Sequence, residues 1–206
     1  MQIALENIGK RFNREWIFRD VNRTFERNSH CAILGGNGSG KSTLLQIVSG
    51  YLTPSAGAIS WKNDAVVLST EDIYSYVAMA SPAMSLYDDF TLKENIAFFQ
   101  KFKSLRGNIS VKDFAQRIEL EKQLNKQLKY YSSGMRQRVK LGLAILADTS
   151  LLLLDEPTSH LDANAIKWYQ ALLKENIDGR SLFVASNSHE DEIFLCNERL
   201  IVEDYK

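Results

Sequence analysis

The sequence has little cysteine, little proline and no charge imbalance, and each shortage removes a class of protein. Its two cysteines, Cys31 and Cys196, stand far apart in apolar surroundings. They do not form a disulfide framework, and reduced cytosolic thiols are expected. With three histidines and no Cys-x-x-Cys, no zinc site can be read. Three prolines, no low-complexity segment and no internal repeat argue for one compact body. Lys plus Arg is 25 and Asp plus Glu is 25, so no net charge draws the chain onto nucleic acid or anionic lipid. Long hydrophobic runs are absent too. The longest spans roughly Leu141 to Ala147, whereas a membrane-crossing helix needs about 20 apolar residues. The first residues, MQIALENIGKRF, lack the apolar core of a signal peptide. The expectation is a protein that does not cross a membrane by itself.

What is present is ordinary for a globular domain: 45% hydrophobic and 24% charged residues in a chain of 206. That length suits a single domain, residues 1–206. Strands are expected at Gln2–Ile8, at Trp16–Phe25 and, after the turn Thr53–Gly57, at Ala58–Trp61. Between them the short run His30–Leu34 ends in glycines. From Thr91 to about Gln127 the spacing of Ile96, Phe99, Phe102, Phe114 and Ile118 is near-helical. Gly134–Asp148 reads as an amphipathic helix, with Met135, Val139, Gly142, Leu143 and Leu146 on one face. The run Leu151–Leu154 fits a strand buried on both faces of a parallel sheet. Helix Ala163–Ile177 and buried strand Ser181–Ala185 follow. This alternation predicts an α/β fold with a mainly parallel sheet.

Gly35-Gly36-Asn37-Gly38-Ser39-Gly40-Lys41-Ser42 matches G-x-x-x-x-G-K-S, after a strand and before a helix starting near Thr43. Glycines let successive backbone N–H groups curl round phosphate oxygens, and the helix start adds partial positive charge. Lys41 is placed to reach the β- and γ-phosphates and Ser42 to ligate Mg²⁺. Further on, Asp155 and Glu156 end the Leu151–Leu154 strand. Ligands of open α/β sheets bind at that edge. Asp155 is the expected metal carboxylate, and Glu156 the base that takes a proton from attacking water.

Further motifs complete a resemblance. Tyr131-Ser132-Ser133-Gly134-Met135-Arg136-Gln137-Arg138 resembles the L-S-G-G-Q signature of the ATP-binding cassette family, and Leu154 to Asp162 resembles that family's acidic strand running into its D-loop. Phe12 looks like its adenine-stacking aromatic, with Trp16 as the second candidate. The region Asn187 to His189 falls where it places a switch histidine. The resemblance covers nearly the whole chain. It implies a P-loop NTPase of the ABC ATPase type, with a small antiparallel β-subdomain on the N-terminal side and a helical subdomain at about 83–147. It implies ATP and Mg²⁺ as ligands, with the loop Gly35–Ser42, Thr43, Ser132, Gly134 and Asp162 contacting nucleotide. It implies two cassettes sandwiching two ATP, a homodimer or a paired cassette, and a separate transmembrane permease on whose cytoplasmic face the chain sits. Direct nucleic-acid binding is not expected.

The chain departs from the family pattern in three places. Ser133 and Met135 replace a glycine and the glutamine of the signature. The Q-loop glutamine falls near Pro82, which has no polar side chain; Ser81 or water is the candidate replacement. The switch position aligns on Asn187, with His189 as the alternative. These departures keep a second function in view, a nucleotide-gated dimerisation switch with weak hydrolysis. Cassettes of translation and DNA repair fit less well, because they carry two cassettes per chain or a long insertion before the signature. The cluster Phe98, Phe99, Phe102 reads as helix core or as part of a groove for a membrane partner, and the basic run Lys122–Lys129 as a solvated helix face.

Overall fold

The computed structural model describes residues 1–64 and 66–206. Two sheets share the chain. The first holds β1 (Gln2–Phe12), β2 (Glu15–Phe25), β4 (Ala56–Asn63) and β5 (Val66–Leu68), antiparallel in the order β2-β1-β4-β5. Its strands run longer than the sequence pattern suggests, because β1 continues through a bulge. Asn7 turns to φ 50, and the pairing register shifts there. Opposite the bulge lies Gly57, at φ +78, where an added Cβ would sit 2.3 Å from the carbonyl oxygens of Glu6 and Asn7.

The second sheet is parallel throughout, in the order β6-β7-β8-β3-β9. Its strands are β3 (His30–Leu34), β6 (Val77–Ala80), β7 (Leu151–Asp155), β8 (Ser181–Ser186) and β9 (Glu198–Ile201). Every residue of β7 and β8 is buried, as the tetra-leucine run predicts. The period of two divides that run between two cores. Leu152 and Leu154 join Leu34, Val184 and the residues of the later helices; Leu151 and Leu153 join Ile33, Phe183 and the antiparallel sheet. Helix α1 (Lys41–Val48) is packed in this second core through Leu44, Leu45, Ile47 and Val48.

The segment expected to be helical from Thr91 to Gln127 is broken. Only α2 (Leu92–Phe99) and α3 (Val111–Arg117) are α-helical. Each begins with a reciprocal capping box, Thr91 with Glu94 and Ser110 with Asp113. Positive φ at Gly107, Asn108 and Glu119 interrupts the path between and after them. The run Lys122–Lys129 is likewise not a helix face. Its carbonyls at Leu124 and Lys126 accept the first N–H groups of α2, and Leu128 is buried.

Helix α4 (Ser133–Ile145) stops three residues before the expected Asp148. Leu105 bridges to Ala147, the Asp148 N–H goes to Ser104 O, and Arg180 takes the carbonyls of Ala144 and Ile145. Helix α5 (Ala163–Asn176) and the single turn α6 (Glu190–Ile193) complete the layer. Among the described residues no helix is long and apolar enough to cross a membrane.

Candidate functional site

All five parallel strands deliver a polar residue to one edge. In sheet order these are Ser81 after β6, Asp155 and Glu156 at the end of β7, Asn187 after β8, the glycine loop after β3, and Glu203 after β9. The crevice outside the carboxyl ends of parallel strands is where open α/β sheets bind ligands.

The glycine loop leads straight into α1. Gly40, at φ +110, precedes the helix without a side-chain cap, so the first N–H groups of α1 face the loop concavity. No larger residue fits at Gly40. An added Cβ would lie 2.5 Å from Ile17 Cγ2. Lys41 is almost fully buried, yet no carboxylate among the described residues pairs with it. Its ammonium donates to Gly35 O at 2.9 Å, Gly36 O at 3.0 Å and Asn187 Oδ1 at 2.6 Å. A cation held by neutral acceptors keeps its charge for a polyanion.

Ser42 Oγ donates to Asp155 Oδ1 at 3.0 Å. Burial raises the Asp155 carboxyl above the ordinary range, against the opposing pull of the Ser42 and Ser81 hydroxyls and of Lys41. A buried carboxylate and a hydroxyl on one point make a hard-oxygen donor pair, the type that suits Mg²⁺, and a cation there would offset the burial. Glu156 follows in a left-handed conformation, φ 46, its N–H given to Ala185 O at 2.9 Å. That turn sets its side chain on the wall of the loop cavity, with Asn37, Gly38, Gly40, Lys41, Ser42, Thr43 and Ile17.

Neither Asn187 nor His189 lines this cavity, but Asn187 bonds to two residues that do. Asn187 links Lys41 to Asn37, donating from Nδ2 to Asn37 Oδ1 at 2.8 Å. His189 is exposed and precedes α6, with its backbone N–H on Ser186 Oγ. The hydroxyl of Ser39 is buried without a partner among the described residues.

The remaining candidates lie elsewhere. Ser132 caps α4, its hydroxyl accepting the Met135 N–H at 3.2 Å, and Asp162 caps α5 in the same way through Ala165 N at 2.8 Å. Gly134 makes a close approach, 3.0 Å from an added Cβ to His160 O. Met135 packs against the apolar core, which accounts for an apolar residue there. The hollow beside Ser133 shares no lining residue with the loop cavity. Phe12 is 50% exposed on the β1–β2 hairpin, and Trp16, 37% exposed, lies over Gly9 between Arg11 and Arg19. Neither ring lines the phosphate cavity; Ile17 of the same hairpin does.

Sequence reasoning missed Ile17 and Glu203. The Glu203 carboxylate accepts the Gly36 N–H at 2.6 Å, a bond that holds it below the usual carboxylate range. No local pattern announces either residue, since both arrive through tertiary packing. Both cysteines are free thiols, pushed up to about 12 by burial, and neither lines the site.

Residues 18–159 match the family model described as ABC transporter. The chain is 32% identical over 213 residues to a probable sulfate/thiosulfate import ATP-binding protein of Chlorella vulgaris, covering 100% of this chain and 89% of that one. It is 29% identical over 198 residues to the uncharacterized ABC transporter ATP-binding protein YybJ of Bacillus subtilis, covering 95% and 89%. Among solved structures, a putative ABC transporter ATP-binding protein of Pyrococcus furiosus superposes with a TM-score of 0.81 at 19% identity, each chain covered in full. A dimeric ATP-binding cassette bound to ADP and phosphate superposes with a TM-score of 0.82 at 23% identity, covering 97% of this chain and 93% of that one. The chain belongs to the ABC transporter family, as a single compact ATP-binding cassette with ATPase activity.

Proposed function

We propose that this cassette is the ATP-hydrolysing subunit of a transporter whose membrane-spanning part is a separate chain. The loop Gly35–Ser42 and Thr43 bind the phosphates through backbone N–H groups, and Lys41 supplies charge. Phe12 stacks on adenine. Ser42 and Asp155 hold Mg²⁺, which neutralises phosphate charge when bound. Glu156 accepts a proton from the attacking water, and Asn187 orients the terminal phosphate. Ser132 and Gly134 of a second copy, at the start of its α4, close over the same nucleotide. The separation of the signature hollow from the loop cavity within one chain supports this arrangement, because a two-fold pair brings one against the other twice. Asp162 then lies at the pair interface, and residues 83–147 form the helical subdomain.

The observation that carries the transporter reading is an apolar groove of about 500 Å³ between α1, β6 and the end of α2. Tyr51, Tyr74, Met79, Met84 and Phe99 line it, and Tyr51 and Tyr74 are largely exposed. Such a groove suits a short amphipathic helix of a membrane subunit. On this reading the chain is peripheral on the cytoplasmic face of the membrane. A second reading, a slow nucleotide-gated switch, draws on Asn187, which cannot carry charge, and on Pro82.

Purified protein is expected to hydrolyse ATP with Mg²⁺. Glu156→Gln is expected to retain ATP and accumulate as a dimer by light scattering. If that variant hydrolysed as fast as the parent, Glu156 would not be the base. Parent turnover far below about 1 s⁻¹ would favour the switch.

A further inference from the structure

Lys41 and Glu203 meet on one peptide unit. The Lys41 ammonium donates to Gly35 O at 2.9 Å, and the N–H of Gly36, in the same unit, donates to Glu203 Oε1 at 2.6 Å. The unit is trans, so its C=O and N–H point in opposite directions and the two side chains grip it from opposite edges. One is a cation and the other an anion, and neither has an ion-pair partner among the described residues. Bonds at both ends of a peptide polarise it, and each strengthens the other. Gly36 O, the second carbonyl under Lys41 at 3.0 Å, also accepts the Ser39 N–H at 3.1 Å.

Strand register brings Glu203 there. β9 lies parallel to β3 with Ile201 beside Leu34, so two residues further on Glu203 comes beside Gly36. The 3-10 turn Val202–Tyr205 fixes the carboxylate from below: Val202 is buried, and Tyr205 packs against the core that holds α1. Gly35 leaves the carboxylate its space, because an added Cβ there would lie 2.5 Å from Glu203 Oε2. Neither Glu203 nor Gly36 lines the loop cavity, which Lys41 does line. The carboxylate therefore holds the loop from its outer side and leaves the cavity to the phosphates.

We propose that Glu203 is a positioning residue for ATP binding: by holding the Gly36 N–H on the outer side of the loop, it fixes the peptide whose carbonyl orients Lys41. This rests on the reading of Gly35–Ser42 as the phosphate site. Glu203 acts only through that peptide and Lys41.

The test compares Glu203→Ala, Glu203→Gln, Lys41→Ala and the double variant Lys41→Ala/Glu203→Ala. In nucleotide-free protein, the NMR signal of the Gly36 amide proton moves upfield in Glu203→Ala and returns most of the way in Glu203→Gln, which keeps an acceptor oxygen. The Leu153 amide, in the middle of β7, stays in place in both. NMR titration with the β,γ-imido analogue of ATP and Mg²⁺ gives a Kd about fivefold weaker in Glu203→Ala, as for one exposed hydrogen bond. kcat at saturating ATP stays within about twofold, since Glu203 touches no reacting group. In the Lys41→Ala background, removing Glu203 weakens binding no further. An unmoved Gly36 signal, a Leu153 signal that moves with it, or additive losses in the double variant would overturn the proposal. Tighter binding in Glu203→Ala would overturn it too, making the carboxylate a competitor of phosphate. Parent affinity in Lys41→Ala would instead overturn the phosphate-site reading on which it rests.

Discussion

Asn187 joins Lys41 to Asn37 with a neutral amide. An imidazole in its place would titrate near pH 6.5; an amide does not titrate at all. Removing it leaves Lys41 with two carbonyl partners and breaks the bridge between loop and strand end. We expect Asn187→Ala to lower hydrolysis by about tenfold or more, the worth of a hydrogen bond to a charged group. His189→Ala, on an exposed turn, should stay within about twofold. Asn187→His should add an acid inflection near about pH 6.5 to the rate profile, with activity lost below it if the neutral ring is the working form. Equal rates in both alanine variants would dismiss Asn187 as the phosphate contact. The phosphate loop and Asp155-Glu156 were legible in the sequence because each is one contiguous backbone device. The alignment on Asn187 in preference to His189 rests on where β8 ends. β8 runs to Ser186, so Asn187 is the first residue past the sheet.

At the scale of elements, the buried strands read correctly from their unbroken apolar runs. The region 91–127 did not, because apolar spacing persists across breaks that only backbone conformation reveals, at Gly107, Asn108 and Glu119. The end of α4 escaped reading for a similar reason. Arg180, 1% exposed, lies far along the chain and closes two helices together. Its Nη1 donates to Ile145 O at 2.7 Å, its Nη2 to Ala144 O and to Thr149 Oγ1, and Nη1 also approaches Asn176 O at the end of α5. A cation on two helix C-termini is favoured by both dipoles, while burial opposes it. Arg180→Met takes the donor from the Ala144 and Ile145 carbonyls and from Thr149 Oγ1, while Asn176 O keeps the Arg106 guanidinium. It should cost roughly 3 kcal/mol, or on the order of 10 °C in Tm for a domain of this size. Calorimetry checks this, and a shift under about 2 °C would mean that water replaces the guanidinium.

For the whole molecule, the parallel sheet separates two kinds of chemistry. Its carboxyl edge carries the phosphate-loop cavity, and the groove beside β6 is lined mainly by apolar side chains. Aromatic side chains extend that apolar face along α2. Phe98 stands 4.9 Å from Tyr87 and 5.1 Å from Phe102 between ring centroids, and Phe102 is 62% exposed. So Phe102 is a surface residue and Phe98 is half-buried among aromatics, while Phe99 of that cluster lines the groove. On the transporter reading proposed above, a patch of this kind on a chain with no net charge would meet a membrane partner by apolar contact, not lipid by electrostatic attraction. We expect Tyr51→Asp combined with Phe102→Asp to leave ATP hydrolysis in solution within about twofold, since neither residue touches the phosphate cavity. In cells, the parent should sediment with the membrane fraction and resist release by about 0.5 M salt, which screens charge but not apolar contact. The double variant should move to the supernatant. Sedimentation of both proteins alike would place the membrane contact elsewhere, and release of the parent by salt would make that contact electrostatic.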